Sequence, residues 1–177
     1  MVLYLYAATR QHISSFTSYN ERNQSVKTEP SKQCQKAIRR ATSVARATGS
    51  MQLMPEHFVL AMLYGNNSAT RCLRKMGVPI VEMRRKWMLE LPDPVETKPD
   101  KVTASAEWAI VMKRAAAKAA EGKCESINVL HVFVAIIDID GLVEDVLNAF
   151  SVAVKKIYQF LADLTEGTRA WLTPQIA

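Results

Sequence analysis

The chain repeats itself, and the repeat narrows the fold more than any other feature of the sequence. Two of its three histidines, His57 and His131, stand 74 positions apart, each before a block of large apolar residues: "PEHFVLAML" and "NVLHVFVAII". Sliding the chain on itself by that distance sets Met62 and Leu63 over Ile136 and Ile137. It also sets Leu73 over Leu147, Val78 over Val152 and Met83 over Ile157. The register holds without a gap, and apolar residues meet apolar residues at nearly every core-like position over about thirty residues. Upstream the best shift falls to about 72, with Ser31 over Thr103, Ala37 over Ala109 and Ile38 over Ile110. A turn near Gly49 and Gly122 would absorb the difference. The chain therefore holds two copies of one unit of roughly 60 residues, 31–91 and 103–164. Between them lies "PDPVETKPDKV", whose three prolines and five charges make residues 92–102 a linker.

Each copy reads as four helices. Ser31 caps the first, which runs to about Thr48 with Ala37, Ile38, Ala41, Val44 and Ala45 at helical spacing. Pro55 suits the first position of the second. "SATRCLRKMG" forms a short third helix closed by Gly77. "PIVEMRRKWMLEL" forms a fourth, with Ile80, Met83, Trp87 and Leu91 on one face. The second copy follows as Thr103 to Glu121, Asn128 to Asp138, Gly141 to Phe150 and Ala153 to Leu164. "VLHVFVAII" is rich in β-branched residues and would pass for a buried strand by itself; its partner "PEHFVLAML" argues for a helix. The expected fold class is all-α, with two tandem pseudo-symmetric four-helix repeats and a monomeric state.

Composition agrees with helices: Gly and Pro are sparse, and about half of the 177 residues are hydrophobic. Three scattered cysteines without a C-x-x-C pair argue against a disulfide framework or a zinc site and for a reducing compartment. No stretch approaches the roughly 18 apolar residues of a membrane span. The net charge of +6 is uneven, with eleven Lys/Arg against three acids in residues 31–91 and nine against twelve in residues 92–177. A basic half of this kind suits nucleic acid or an acidic protein surface, although its cations are spread over several helices in the manner of a solvated face.

A Ser/Thr-capped Ala-rich helix, a Glu-His-apolar helix and a Gly-Val-x-apolar helix, repeated once, resemble the Clp N-terminal repeat domain at the front of Hsp100/Clp chaperones. "PEHFVLAMLYG" and "KMGVPIVEMRRKW" carry most of the resemblance, which spans residues 31 to about 164. The resemblance implies a domain without catalysis or cofactors of its own. Such a domain binds adaptors, substrates or Clp chaperone/protease subunits. It also implies that Glu56, the acid before the histidine, can help bind a basic or phosphorylated-arginine group. Copy two has Leu130 in that place, so at most one such site survives. The plainer reading of Glu56 is a first-turn acid that complements the helix dipole. His57 and His131 are expected to be structural, each bonding nearby backbone, because no further ligands converge on them to make a metal or catalytic site. Arg84 and Arg85 are candidates for partner contact.

"AKAAEGKCES" imitates a phosphate loop but has Ala117 and Cys124 where a P-loop requires Gly and Ser/Thr, and it ends a helix. The chain is accordingly not expected to be an ATPase, and a stand-alone accessory protein fits best. The methionines at positions 51, 54, 62, 76, 83 and 88 are expected to fill the core. Residues 1–30, Ser/Thr-rich with a first acid at Glu21, read as a terminal arm or a weak organellar targeting segment, and His12 lies there. Residues 165–177 read as a tail that can fold back or dock through Trp171. The expected location is cytoplasmic, or an organellar matrix or stroma if the arm is a transit peptide. Two function classes follow: a protein-docking module of a Clp system, and a basic regulator that binds nucleic acid through residues 31–91.

Overall fold

A computed structural model describes residues 29–139 and 141–172, and for Leu142 and residues 165–172 the backbone alone. The expectations for the N-terminal arm, His12 and the Trp171 side chain lie outside what is described. Eight helices are seen: α1 (Lys32–Ala47), α2 (Pro55–Leu63), α3 (Ser68–Lys75), α4 (Ile80–Leu89), α5 (Ala106–Glu121), α6 (Val129–Ile137), α7 (Gly141–Ala149) and α8 (Val154–Leu172). The strand-like segment is helix α6. All nine of its residues are buried, and Asn128 caps it by accepting the N–H groups of Leu130 and His131. Burial on every side explains why its sequence shows no polar face.

The repeat is more regular than the sequence indicates, because a single shift of 74 relates α1–α4 to α5–α8 throughout. Ser105, not Thr103, caps α5, accepting the Trp108 N–H at 3.0 Å as Ser31 accepts that of Cys34 at 3.2 Å. The buried faces then correspond as Cys34, Ala37, Ala41 and Ala45 with Trp108, Val111, Ala115 and Ala119. The two-residue slip expected upstream is wrong: it pairs half-buried Ile38 with Ile110, which is 48% exposed. In an Ala-rich helix, apolar residues also sit on the outer face, so apolar matching alone does not fix the register. The backbone does. Among the described residues the four with positive φ form two pairs at the same shift, Gly49 (73°) with Lys123 (52°) and Gly77 (80°) with Ser151 (55°). Gly49 thus corresponds to Lys123, not to Gly122.

Two short parallel pairings stitch the copies together. β1 (Gln52–Leu53) pairs with β2 (Thr103–Ala104), with Leu53 opposite Ala104, and Pro30 bridges to Ile127. The second contact is the first one carried through the repeat. The Ser105 N–H donates to the Leu53 carbonyl at 3.2 Å, and the Ser31 N–H donates to the Ile127 carbonyl at 2.9 Å. Each copy therefore satisfies backbone groups ahead of the other's helices. Side chains follow suit: Phe58 of α2 packs on Trp108 of α5 with ring centroids 5.3 Å apart. One hydrophobic core draws on all eight helices. Residues 92–102 contain no helix, and Val95 is held to the end of α1 by its N–H bond to the Ala47 carbonyl at 3.0 Å. The last helix continues to Leu172 instead of ending at Leu164.

Candidate functional site

The two histidines do not converge. Each stands at the third position of its helix, and its Nδ1 accepts a backbone N–H three residues earlier, from Met54 to His57 at 3.1 Å and from Asn128 to His131 at 3.2 Å. Both rings are buried. Burial lowers the pKa of His57, and burial with Lys118 nearby lowers that of His131 to about 4. Both are therefore neutral near pH 7. This is a capping arrangement in which imidazole takes the place of the usual Glu or Gln. Among the described residues no group of three or more His, Cys, Asp or Glu is placed to hold a metal ion. Burial also pushes the thiols of Cys34 and Cys72 up to about 12, which leaves them protonated and unreactive.

Glu56 stands at one end of α2, and Arg84 of α4 packs at the other. Glu56 is in the first turn, where its carboxylate complements the helix N-terminus. Its carbonyl accepts the indole N–H of Trp87 at 2.9 Å, which locks α4 onto α2. At the other end the Arg84 guanidinium lies 4.4 Å over the Tyr64 ring, and the Tyr64 hydroxyl points at Met88 Sδ, 3.7 Å away. Arg85 is exposed beside them. α2 is nine residues long, so the two ends stand roughly 12 Å apart. Glu56 and the arginines are thus not one site.

Sequence reasoning missed the surroundings of Arg84. Tyr64 is 46% exposed, Met88 51% and Leu89 84%, and Val81 also faces outward. The expectation that the methionines fill the core holds for Met62 and Met83 but fails for Met88 and for Met51, which is 71% exposed. The available signal was position: Met83 and Trp87 mark the buried face of α4, so Val81, Arg85 and Met88 must lie on the other.

A cavity of about 180 Å³ opens between α1, α3, α6 and α8, lined by Gln33, Ser68, Arg71, Asn128 and His131 among others. Several of its polar groups are already committed. Ser68 Oγ accepts the Leu130 N–H at 3.1 Å and donates to Asn128 Oδ1 at 3.3 Å, and Gln33 donates to the Asn66 carbonyl at 2.8 Å. The two bonds of Ser68 make it a joint between the copies.

The family model for the Clp repeat (R) N-terminal domain matches residues 29–166, from the pairing at Pro30 into α8. The chain belongs to that family. Solved structures repeat the fold. A chain from a malarial protein secretion system superposes with a TM-score of 0.72 at 19% identity, over 80% of this chain and 98% of that one. The Hsp104 N-terminal domain from Candida albicans gives 0.65 at 19% identity, over 77% and 91%. The N-terminal domain of the Clp-protease-associated chaperone ClpD from Arabidopsis thaliana gives 0.57 at 16% identity, over 79% and 95%. No curated protein matches the sequence. As a Clp repeat domain, the chain combines the double four-helix body with an unequal pair of outer faces. Among the described residues no helix is long and apolar enough to cross a membrane.

Proposed function

We propose that this Clp repeat domain is a non-catalytic docking module that binds adaptors, substrates or subunits of a Clp chaperone/protease system in the cytoplasm. Family membership over residues 29–166 carries the reading. The surface supports it. Cations are concentrated in residues 31–91, and around Arg84 and Arg85 they adjoin apolar side chains that a solvated face does not need. The deciding experiment is affinity capture of the tagged full-length chain from extracts of its own cells, with and without nuclease, read by mass spectrometry. Capture of Clp subunits or their adaptors is expected. Partners that vanish with nuclease would instead favour the nucleic-acid reading. The two contact regions act separately in this proposal, Glu56 toward a cationic group and the Arg84–Arg85 face toward an acidic one.

A further inference from the structure

The repeat supplies its own control for the outer face of α4. The same surface position is built twice, and the fold itself does not require it to be apolar. In copy two, Tyr64 is replaced by Asp138, Val81 by Lys155, Arg84 by Tyr158, Arg85 by Gln159, Met88 by Ala162 and Leu89 by Asp163. There the position is closed by polar contacts. Lys118 pairs with Asp138 at 2.9 Å, the Tyr158 hydroxyl donates to the Asp138 carboxylate, and Arg114 donates to the Asp138 carbonyl at 3.1 Å. In copy one the same position is an open ridge of Tyr64, Val81, Met88 and Leu89. The ridge also has unspent charge. Lys86 and Glu90 approach each other at 4.0 Å, whereas among the described residues no ion pair engages Arg84 or Arg85. Stacking on Tyr64 holds the Arg84 fork in place without using its N–H groups.

We infer that the ridge formed by Tyr64 and the outer face of α4 binds an acidic amphipathic helix, its aliphatic side chains seated on Tyr64, Val81, Met88 and Leu89 and its carboxylates meeting Arg84 and Arg85. The charge complementarity selects an acidic occupant, since a basic one would face two uncompensated guanidinium groups. The geometry selects a helix. Val81, Arg85 and Met88 recur at i, i+4 and i+7 along about two turns, the spacing into which the ridges of a second helix fit. This names the partner chemistry of the docking module proposed above and rests on that reading.

The test uses a synthetic helix of about 16 residues, long enough to be partly helical alone, with Leu at i, i+4 and i+7 and Glu at the remaining exposed positions. A second peptide has Lys in place of Glu. Amide chemical-shift mapping on the full chain is expected to show saturable binding of the Glu peptide at Tyr64 and along α4. The Lys peptide should bind at least tenfold more weakly. The triple variant Val81→Lys, Met88→Ala, Leu89→Asp carries the copy-two residues and should fold normally, because all three side chains are exposed. It should lose at least tenfold in affinity for the Glu peptide. Equal binding of both peptides, binding mapped elsewhere, or an unaffected triple variant overturns the inference. A dimer in sedimentation that the triple variant abolishes also overturns it, because the ridge would then be covered by a second copy. Capture of Clp subunits by wild type and triple variant alike leaves the docking function standing and removes only the ridge. Peptide binding without any capture of Clp components does the reverse.

Discussion

Thr48 Oγ1 lies 3.4 Å from Nε2 of His57, and the residue 74 positions after Thr48 is Gly122. Because Nδ1 of each histidine accepts a backbone N–H, the proton of the neutral ring sits on Nε2. For His57 that proton has a hydroxyl to meet. For His131 it is buried and has no hydrogen-bond partner among the described residues. The repeat thus preserves the cap but not its second tether, and copy two carries the cost of one unsatisfied donor.

Restoring the tether should stabilise the protein. Gly122 has φ −75° and ψ 1°, which any L-residue adopts. Gly122→Thr is expected to add about 1 kcal/mol, partly from the new bond and partly from a less flexible unfolded chain. Thr48→Val, the converse, should cost about 1 kcal/mol. Urea unfolding measures both; two neutral variants would show that Nε2 gains nothing from a hydroxyl at this place.

Acid should destabilise the fold in a defined window. His131 is neutral when folded down to about pH 4, but protonates near 6.5 when unfolded. The unfolded state therefore binds more protons between these values, and stability falls as the pH is lowered from about 6.5 to 4. The loss from this residue is on the order of 3 kcal/mol. His57, shifted in the same direction, adds to it. His131→Gln can still accept the Asn128 N–H and should flatten the profile. Denaturation midpoints at pH 7, 5.5 and 4.5 test this, and parallel curves for the variant and wild type would rule it out.

The left-handed pairs predict opposite responses to the same chemistry. Lys123 and Ser151 hold φ of 52° and 55°, where a Cβ is strained, so Lys123→Gly and Ser151→Gly are each expected to stabilise by about 1 kcal/mol. Gly77→Ala should cost about 1 kcal/mol from backbone strain alone, since a Cβ there meets nothing within 4 Å. Gly49→Ala should cost more, because its Cβ would stand 2.9 Å from Val95 Cγ2. Calorimetric melting of the four variants gives the order, and a Gly49→Ala no worse than Gly77→Ala would contradict the contact.

Charge reversal on α4 should act mainly on association. With a captured partner, Arg84→Glu with Arg85→Glu is expected to slow binding more than it speeds release, and wild-type binding should weaken as salt rises. Lys155→Glu with Lys156→Glu, on α8 at the positions of Val81 and Glu82 and about one turn before the counterparts of Arg84 and Arg85, should matter less, because that face lacks the apolar ridge. Surface plasmon resonance at several salt concentrations decides; equal effects from the two pairs would mean that the asymmetry is only solvated surface.

The sequence alone determined the duplication, the helices and most of their ends. Those features are local. Ser31 caps α1 with its own hydroxyl, Pro55 opens α2, and Met83 and Trp87 are buried because they lie on one side of a single helix. Even α6, which reads as a strand by propensity, was recovered by comparison with α2, since a repeat constrains both copies to one conformation. Tertiary structure alone decided how the copies interlock. The pairing of Leu53 with Ala104 and of Pro30 with Ile127 joins backbone groups far apart in the chain, and backbone pairing leaves little mark on side-chain pattern. The start of α5 was decided there too. Thr103 and Ser105 are both competent caps, and only the pairing of Thr103 into β2 assigns the role to Ser105. The exposed ridge was settled in the same way. The spacing of Met83 and Trp87 already sets Met88 and Leu89 on the outer face of α4, but only the packing of α4 on α2 brings Tyr64, at the end of α2, beside them as one ridge.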